Sequence, residues 1–317
     1  MRVLVTGVTG FVGRHLTGFS RAEGAHVVGV ARTPVLDREA EMAGELRFVD
    51  LTDRERTAKA IREARPDWVF HLAADASVAR SWAAPEETLQ NNLSSGLSLL
   101  EAVRVEAPSA RVLVAGSGEQ YGAVPLEQQP IAEDEPLRPQ SPYAVSKAAV
   151  ELLAGFYADV HGLRIVRTRA FNHAGPGQQE PYVVASLARQ VAAAELAGDR
   201  RLELRSGDLT IRRDFTDVRD VVRAYWLALE HAREDVYNVC SGRSVPLTDV
   251  IAELRRRSSV EIVPVRDPTL LRPVDVREVS GSREKLTQAS GWRPEIRFAT
   301  TVRDALQSWR DRLASAS

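Results

Sequence analysis

Short apolar runs alternate with amphipathic stretches of helical period through the first half of the chain. The predicted strands span residues 2–6, 25–31, 46–49, 68–72, 111–115 and 164–170, and the predicted helices span 12–23, 53–64, 86–106 and 143–161. Such alternation is typical of a parallel sheet whose two faces are covered by helices. Because strand–helix–strand connections are right-handed, the pattern predicts an α/β fold with a doubly wound parallel sheet of the Rossmann type.

The pattern changes after residue 170, where a glycine- and proline-rich segment runs from Asn172 to Gln178. Beyond it we predict helices at 182–197, 217–230, 247–257 and 283–290, a short strand at 201–204, and a buried strand at 235–239 that rejoins the sheet. We therefore expect a dinucleotide-binding domain of residues 1–171 and 212–240. A smaller, interleaved α/β domain of residues 172–211 and 241–317 would bind the substrate.

Charge and cysteine content exclude several kinds of function. The 42 Lys and Arg residues nearly balance the 43 Asp and Glu residues, so no global field favours nucleic acid or an anionic membrane. Cys240 is the single cysteine, which rules out an intrachain disulfide and a thiolate zinc cage. No charged-then-apolar leader precedes the first strand, and no apolar run approaches ~20 residues. We expect a cytoplasmic protein with no metal site, no nucleic-acid partner and no membrane segment.

The segment TGVTGFVG at residues 6–13 directly follows the first predicted strand and opens the first helix. In a dinucleotide-binding turn, the first glycine allows a tight turn, the second lets the backbone approach a pyrophosphate, and the third lets the helix pack on the strand. The phosphates would then face the helix N-terminus. A glycine pattern alone is weak evidence, but at this junction it indicates cofactor binding. The candidate residues are Gly7, Thr9, Gly10, Phe11, Val12 and Gly13.

The ends of the following strands supply further candidate cofactor residues. Where an NAD-specific fold presents an acid to the ribose hydroxyls, this chain has an alanine followed by Arg32. A guanidinium can bind a 2′-phosphate, so NADP(H) is favoured and NAD(H) stays possible; a solvated loop arginine is the alternative. Two pairs complete the set: Asp50 and Leu51 beside the adenine, and Ala73 and Ala74 beside the ribose and nicotinamide.

Tyr143 and Lys147 are the candidate proton donor and its neighbour. They are four positions apart on a predicted helix and therefore share one face. A phenol ordinarily titrates near ~10, and a nearby cation lowers its pKa. The pair alone is a weak pattern. It gains weight because it follows a strand that leads into Ser117, and because a cofactor loop stands at the start of the chain.

Together these segments resemble the extended short-chain dehydrogenase/reductase family over nearly the whole chain. The resemblance rests on the 6–13 loop, Asp50 and Leu51, the HLAA segment at 71–74, Asn92, Ser117, Tyr143 and Lys147. It implies a nicotinamide cofactor in the amino-terminal lobe, a nucleotide sugar in the carboxy-terminal lobe, and a homodimer formed through the helices near 86–106 and 143–161. One departure is the NLSSG segment at 92–96, where the family more often has glycine followed by threonine.

Segments of the second half resemble the branch of this family that reduces a GDP-linked 4-keto-6-deoxy sugar. They lie at 171–178, 213–220, 237–242 and 271–273. The resemblance implies that Asn172 binds the sugar nucleotide and that Arg213 and Arg272 bind its diphosphate, for which paired guanidinium donors are well suited. The implied reaction converts GDP-4-dehydro-6-deoxy-D-mannose to GDP-D-rhamnose.

In the implied reaction, Tyr143 donates a proton to the C4 oxygen and Ser117 hydrogen-bonds the same atom. Lys147 would hold the nicotinamide ribose and lower the pKa of the phenol. Glu119 complicates this assignment, because related 4,6-dehydratases use an acid two residues after the Ser or Thr. GDP-mannose 4,6-dehydratase activity, an epimerase and another keto-sugar reductase are therefore alternatives. A non-catalytic, NADP-sensing protein is a more distant one.

Overall fold

A computed structural model of the chain describes residues 1–33, 44–270 and 276–315. Its central sheet consists of parallel strands, numbered along the chain: β1 (Arg2–Thr6), β2 (His26–Ala31), β3 (Glu45–Phe48), β4 (Trp68–His71), β5 (Arg111–Ser117), β6 (Arg164–Ala170) and β10 (Val236–Val239). Their order across the sheet is β10-β6-β5-β4-β1-β2-β3. The order reverses between β1 and β4, and ligands of open α/β sheets bind at the carboxyl ends of strands beside such a switch point.

Helices cover both faces of this sheet. The helices of this lobe are α1 (Phe11–Ala22), α2 (Arg54–Ala64), α3 (Val78–Ala83), α4 (Pro85–Glu106), α5 (Pro142–His161), α7 (Val218–His231) and α9 (Glu284–Ser290). Alternate residues of β1 enter two different hydrophobic clusters, since Val3 and Val5 pack with α1 and α7 whereas Leu4 packs with α2, α4 and α5. This period of two is what a strand buried on both faces requires.

A smaller lobe stands beside the carboxyl edge of β6. It contains a three-stranded sheet in the order β11 (Ser244–Pro246), β9 (Arg212–Asp217) and β7 (Asn172–Ala174), and a parallel pair of β8 (Arg201–Ser206) and β12 (Glu261–Arg266). Its helices α6 (Val183–Ala197), α8 (Leu247–Arg255) and α10 (Phe298–Ala314) share one hydrophobic cluster. The predicted division into two domains stays a prediction. It assigns β9 to the larger domain and α9 to the smaller one, whereas β9 pairs with this smaller sheet and α9 packs against the cluster of the central sheet.

The predicted doubly wound α/β fold is confirmed, and the 235–239 strand joins the sheet beside β6 as β10. Two helices were missed, α3 and α10. Helix α10 could have been predicted from the sequence, because the apolar residues Val302, Leu306 and Trp309 recur at helical spacing; all three are buried. Within the described ranges, no helix is both long and apolar enough to cross a bilayer.

Candidate active site

The glycine-rich turn between β1 and α1 depends on backbone contacts that a side chain would prevent. Gly7 has a φ of +69°, in the left-handed region. A Cβ on Gly13 would lie 2.2 Å from the carbonyl oxygen of Gly7. Gly10 occupies the N-cap position of α1 and provides no side-chain cap. The first turn of α1 thus lies against the end of β1, with its amide groups at the carboxyl edge of the sheet.

A cleft of about 540 Å³ opens at this edge, beside the switch point between β1 and β4. The predicted cofactor residues that line it are Gly7, Thr9, Gly10, Phe11, Val12, Gly13, Arg32, Asp50, Leu51, Ala73 and Ala74. They come from four separate segments of the chain. The cleft is also lined by residues outside the predicted cofactor set, among them Asn92, Ser95 and Tyr182. The three glycines of the turn leave the backbone open to a pyrophosphate, so the residues that line this cleft fit a dinucleotide.

Arg32 places a positive charge at the end of the cleft formed by β2 and the turn after β3. Hydrogen bonds from the main chain and the side chain of Thr52 lower the pKa of Asp50, and the charge of Arg32 adds to this effect. Arg32 itself is exposed. A cation at this strand end is suited to bind the 2′-phosphate of an adenine ribose.

Ser117 and Tyr143 meet between the end of β5 and the first turn of α5. Ser141 caps that helix by accepting a hydrogen bond from the Ala144 amide at 3.1 Å. This cap opens the helix beside the strand end, where the Tyr143 side chain lies near enough to the Ser117 side chain for that hydroxyl to lower the phenol pKa. Ser117 Oγ also accepts from the Glu119 amide at 3.2 Å. Both side chains are largely buried, at 8% exposure for Ser117 and 9% for Tyr143.

The expectation that Lys147 lowers the pKa of Tyr143 is not met. Burial raises the pKa of Tyr143 above its ordinary value, and the hydrogen bond with Ser117 only partly opposes this effect. Lys147 Nζ donates to the carbonyl oxygen of Ala115 at 2.7 Å, and burial lowers its own pKa to about 8. For both side chains, burial is therefore the largest influence on the pKa, and the position of the two residues on one helix face does not reveal it.

Glu119 belongs to the same site. It follows Ser117 on a short 3₁₀ turn, Gly118–Tyr121, and is half-buried. Its negative charge contributes to the raised pKa of Tyr143, which requires the two groups to lie near each other. The structure thus brings Ser117, Glu119, Tyr143 and Lys147 together, as the spacing along the sequence predicts.

The predicted substrate residues lie in the smaller lobe. Asn172 begins β7, half-buried and paired in register with Phe215 of β9. Arg213 lies in β9, is 7% exposed, and donates to the main-chain oxygen of Val276 at 2.6 Å. Arg272 lies outside the described residues. Arg213 therefore anchors the chain directly after the segment that carries Arg272, and the assignment of these three residues to the substrate stays a prediction.

His71 supports the structure beneath the cleft. Its Nδ1 lies 3.0 Å from Thr6 Oγ1, and that hydroxyl oxygen accepts hydrogen bonds from the amides of Leu72 and Ala73 at 3.2 Å. Burial lowers the pKa of His71 to about 3, so the imidazole is neutral at physiological pH. A neutral, hydrogen-bonded histidine at this place holds β1 and β4 together where the cofactor residues begin.

A Rossmann sheet, a glycine turn at its first strand and a Ser–Tyr–Lys arrangement at the end of β5 define an NAD(P)-dependent short-chain dehydrogenase/reductase of the extended type. Residues 4–305 match the family described as GDP-mannose 4,6 dehydratase. The GDP-6-deoxy-D-mannose reductase of Pseudomonas aeruginosa is 38% identical over 98% of both chains. GDP-mannose 4,6 dehydratase 2 of Arabidopsis thaliana is 30% identical, covering 95% of this chain and 84% of that relative.

Solved structures of a reductase and of an epimerase share this fold. RMD from Pseudomonas aeruginosa complexed with NADPH superposes with a TM-score of 0.86 at 36% identity, covering 98% of both chains. UDP-glucose 4-epimerase from Thermotoga maritima with UDP-glucose gives a TM-score of 0.89 at 29% identity, covering 99% of this chain and 100% of that one. The protein belongs to the GDP-mannose 4,6 dehydratase family, and it is an NAD(P)-dependent oxidoreductase.

The need for glycine at position 13 can be tested by substitution. Gly13→Ala should weaken NADPH binding at least ~10-fold and lower the melting temperature, because the new Cβ would meet the Gly7 carbonyl. Gly18→Ala is the matched control on the same helix, since a Cβ there meets nothing within 4 Å. The control should be neutral or stabilise by up to ~1 kcal/mol. Thermal unfolding and NADPH titration of both variants measure this, and identical behaviour of the two would contradict the role of Gly13.

Proposed function

We propose that the protein reduces the C4 keto group of GDP-4-dehydro-6-deoxy-D-mannose to give GDP-D-rhamnose, with NADPH as the reductant. The observation that carries this proposal is the pair of buried, neighbouring side chains of Ser117 and Tyr143 at the carboxyl edge of the sheet. β5, which ends in Ser117, neighbours β4, whose following residues line the cofactor cleft. Similarity to a GDP-6-deoxy-D-mannose reductase over nearly the full length of both chains supports the substrate.

The residues of the site are suited to proton donation during a reduction. When bound, the reduced nicotinamide supplies the hydride for C4. The raised pKa of Tyr143 keeps its proton on the phenol until the more basic oxygen at C4 develops, and Tyr143 then donates it. Ser117 stabilises the charge that develops on the same oxygen. The ammonium of Lys147, one helical turn further on, would hold the nicotinamide ribose.

The preference for NADPH rests on Arg32. Arg32 follows the strand end where an NAD-specific site would place an acid. Its positive charge lowers the pKa of Asp50, which lines the same end of the cleft. NAD(H) remains an alternative because the glycine turn and the cleft suit either dinucleotide. The substrate diphosphate would bind Arg213 and Arg272, and Asn172 would bind the sugar nucleotide.

GDP-mannose 4,6-dehydratase activity is the second candidate function, and Glu119 favours it. A dehydratase needs a carboxylate near the proton donor: as a base it removes the C5 proton, and once protonated it donates to the C6 hydroxyl, which leaves as water. Glu119 is close enough to Tyr143 to raise its pKa. A simple reductase has no chemical need of that carboxylate. The curated relatives with this activity match the chain at 26–30% identity, against 38% for the reductase.

Cofactor stoichiometry separates the two candidates. A reductase consumes one equivalent of NADPH for each keto sugar, whereas a dehydratase returns its cofactor to the starting state. We expect NADPH absorbance to fall in step with loss of GDP-4-dehydro-6-deoxy-D-mannose and to stay constant with GDP-mannose. Turnover of GDP-mannose without net oxidation of NADPH would contradict the proposal.

Tyr143→Phe should lower kcat by ~10²- to 10⁴-fold, because the variant has no proton for the C4 oxygen. Its Kd for NADPH should change little, since the phenol hydroxyl contacts Ser117 rather than the glycine turn. Tyr157→Phe is the matched control: the same change on the same helix, where the hydroxyl bonds Glu101 at 2.8 Å. Steady-state kinetics and NADPH titration measure both. A Tyr143→Phe enzyme that kept more than about a tenth of the rate would refute the assignment.

We also propose a homodimer formed through α4 and α5. Apolar side chains on these helices are exposed, namely Leu93, Val145, Leu152, Phe156 and Val160. On α5 they recur at helical spacing and so form one apolar stripe, which a second copy of the same surface would cover.

Sedimentation equilibrium tests the dimer. The wild type should give twice the chain mass of 34.9 kDa. Leu152→Glu should shift the protein to the monomer, because a carboxylate would be buried in the interface. Leu196→Glu, on the exposed surface of α6, is the matched control and should leave the mass unchanged. A monomeric wild type would contradict the proposal.

A further inference from the structure

Behind the Ser117–Tyr143 pair, buried polar side chains from several elements form one hydrogen-bonded network. The Ser117 amide donates to Gln120 Oε1 at 2.6 Å, and Gln120 Nε2 donates to Glu151 Oε2 at 2.7 Å. Arg169 Nη2 donates to Glu151 Oε1 at 2.6 Å. Gln120 is 0% exposed, Glu151 4% and Arg169 6%. A main-chain group of the site is thus joined through one side-chain amide to a buried ion pair.

The network continues past the ion pair to β10, the strand at one end of the sheet. Arg169 Nη1 donates to the Tyr121 hydroxyl at 2.8 Å, and that hydroxyl donates to Asn238 Oδ1 at 2.7 Å. The side chains come from α5, β6, β10 and the 3₁₀ turn after β5. Since each member has hydrogen-bonding partners, the network rigidifies the elements that it joins.

The local backbone is shaped to admit the Gln120 amide. A Cβ on Gly116 would lie 2.5 Å from Gln120 Oε1 and 2.6 Å from the carbonyl oxygen of Thr168. The orientation of the amide is also determined by its partners, because its oxygen must accept from Ser117 while its nitrogen must donate to Glu151. A leucine of similar size could fill this space but could replace neither hydrogen bond.

We propose that Gln120 is a positioning residue for the reduction: it holds Ser117 in register with Tyr143 by joining the main chain of Ser117 to Glu151. Glu151 lies on α5 two helical turns after Tyr143, so the connection links the two elements that carry the donors of the site. Gln120 contacts no reacting atom, and its effect on the rate passes through Ser117. The inference rests on the proposed function for its kinetic readout alone.

A double-mutant cycle tests the coupling. Gln120→Leu should lower kcat roughly 10- to 100-fold and leave the NADPH Kd within about twofold, because misplacing a donor affects the reaction and not the cofactor turn. Gln128→Leu, the same change at an exposed position of a neighbouring 3₁₀ turn, should leave kcat unchanged. In a Ser117→Ala background, Gln120→Leu should reduce kcat by less than about twofold, since the group it positions is gone. The inference would be overturned if the decrease in kcat of the double variant equalled the product of the decreases of Ser117→Ala and Gln120→Leu. An unchanged kcat for Gln120→Leu would also overturn it.

A second readout does not depend on the substrate. The Ser117 amide should exchange with deuterium faster in Gln120→Leu than in the wild type or in Gln128→Leu, because its acceptor is removed. Equal protection would overturn the inference even if the wild type reduced no sugar nucleotide, an outcome that would by itself contradict only the proposed function.

If Gln120→Leu fails to fold, Gln120→Glu replaces it. The new carboxylate would face Glu151, with Arg169 on the other side of Glu151 and Lys147 one turn earlier on α5. Two facing carboxylates share a proton at low pH and repel each other when both ionise. The ratio of variant to wild-type kcat should therefore fall as pH rises, and a ratio near one at every pH would overturn the inference.

Discussion

The proposed reduction depends on the burial of Tyr143 against Ser117 at the end of β5. Removing the phenol from water favours its neutral form, so the raised pKa suits Tyr143 to donate a proton to a strongly basic oxygen. The parallel sheet makes this arrangement possible. Because the carboxyl ends of β1, β4 and β5 meet at one edge, the glycine turn, the cleft and the proposed proton donor all lie at that edge.

Local patterns predicted much of the fold. The strand runs and the glycine turn depend on residues close in sequence, and predicted and observed bounds differ by at most about two residues for the central strands. The pairing of β9 with β7 and β11 could not be found in this way, because pairing is decided by contacts between distant segments. The same is true of the network from Gln120 to Asn238, whose members are up to 118 positions apart.

Spacing along a helix predicts which side chains share a face, but it does not predict their burial or their pKa values. The four-residue separation of Tyr143 and Lys147 correctly placed them on one helix, but it did not reveal how deeply each is buried. Desolvation moves both pKa values against the charged forms, upward for the phenol and downward for the ammonium. The net shift of the Tyr143 pKa is therefore upward, although the spacing predicts that Lys147 lowers it. The position of Glu119, by contrast, follows from its place two residues after Ser117.

Isotope transfer tests the central claim most directly. The protein would be incubated with GDP-4-dehydro-6-deoxy-D-mannose and NADPH in which both C4 hydrogens of the nicotinamide are deuterium, and the product examined by NMR and mass spectrometry. The account predicts one deuterium at C4 of the sugar and none elsewhere, with one equivalent of oxidised cofactor. A product without deuterium at C4, or transfer of hydrogen from C4 to C6 when GDP-mannose is supplied, would contradict the assignment as a reductase.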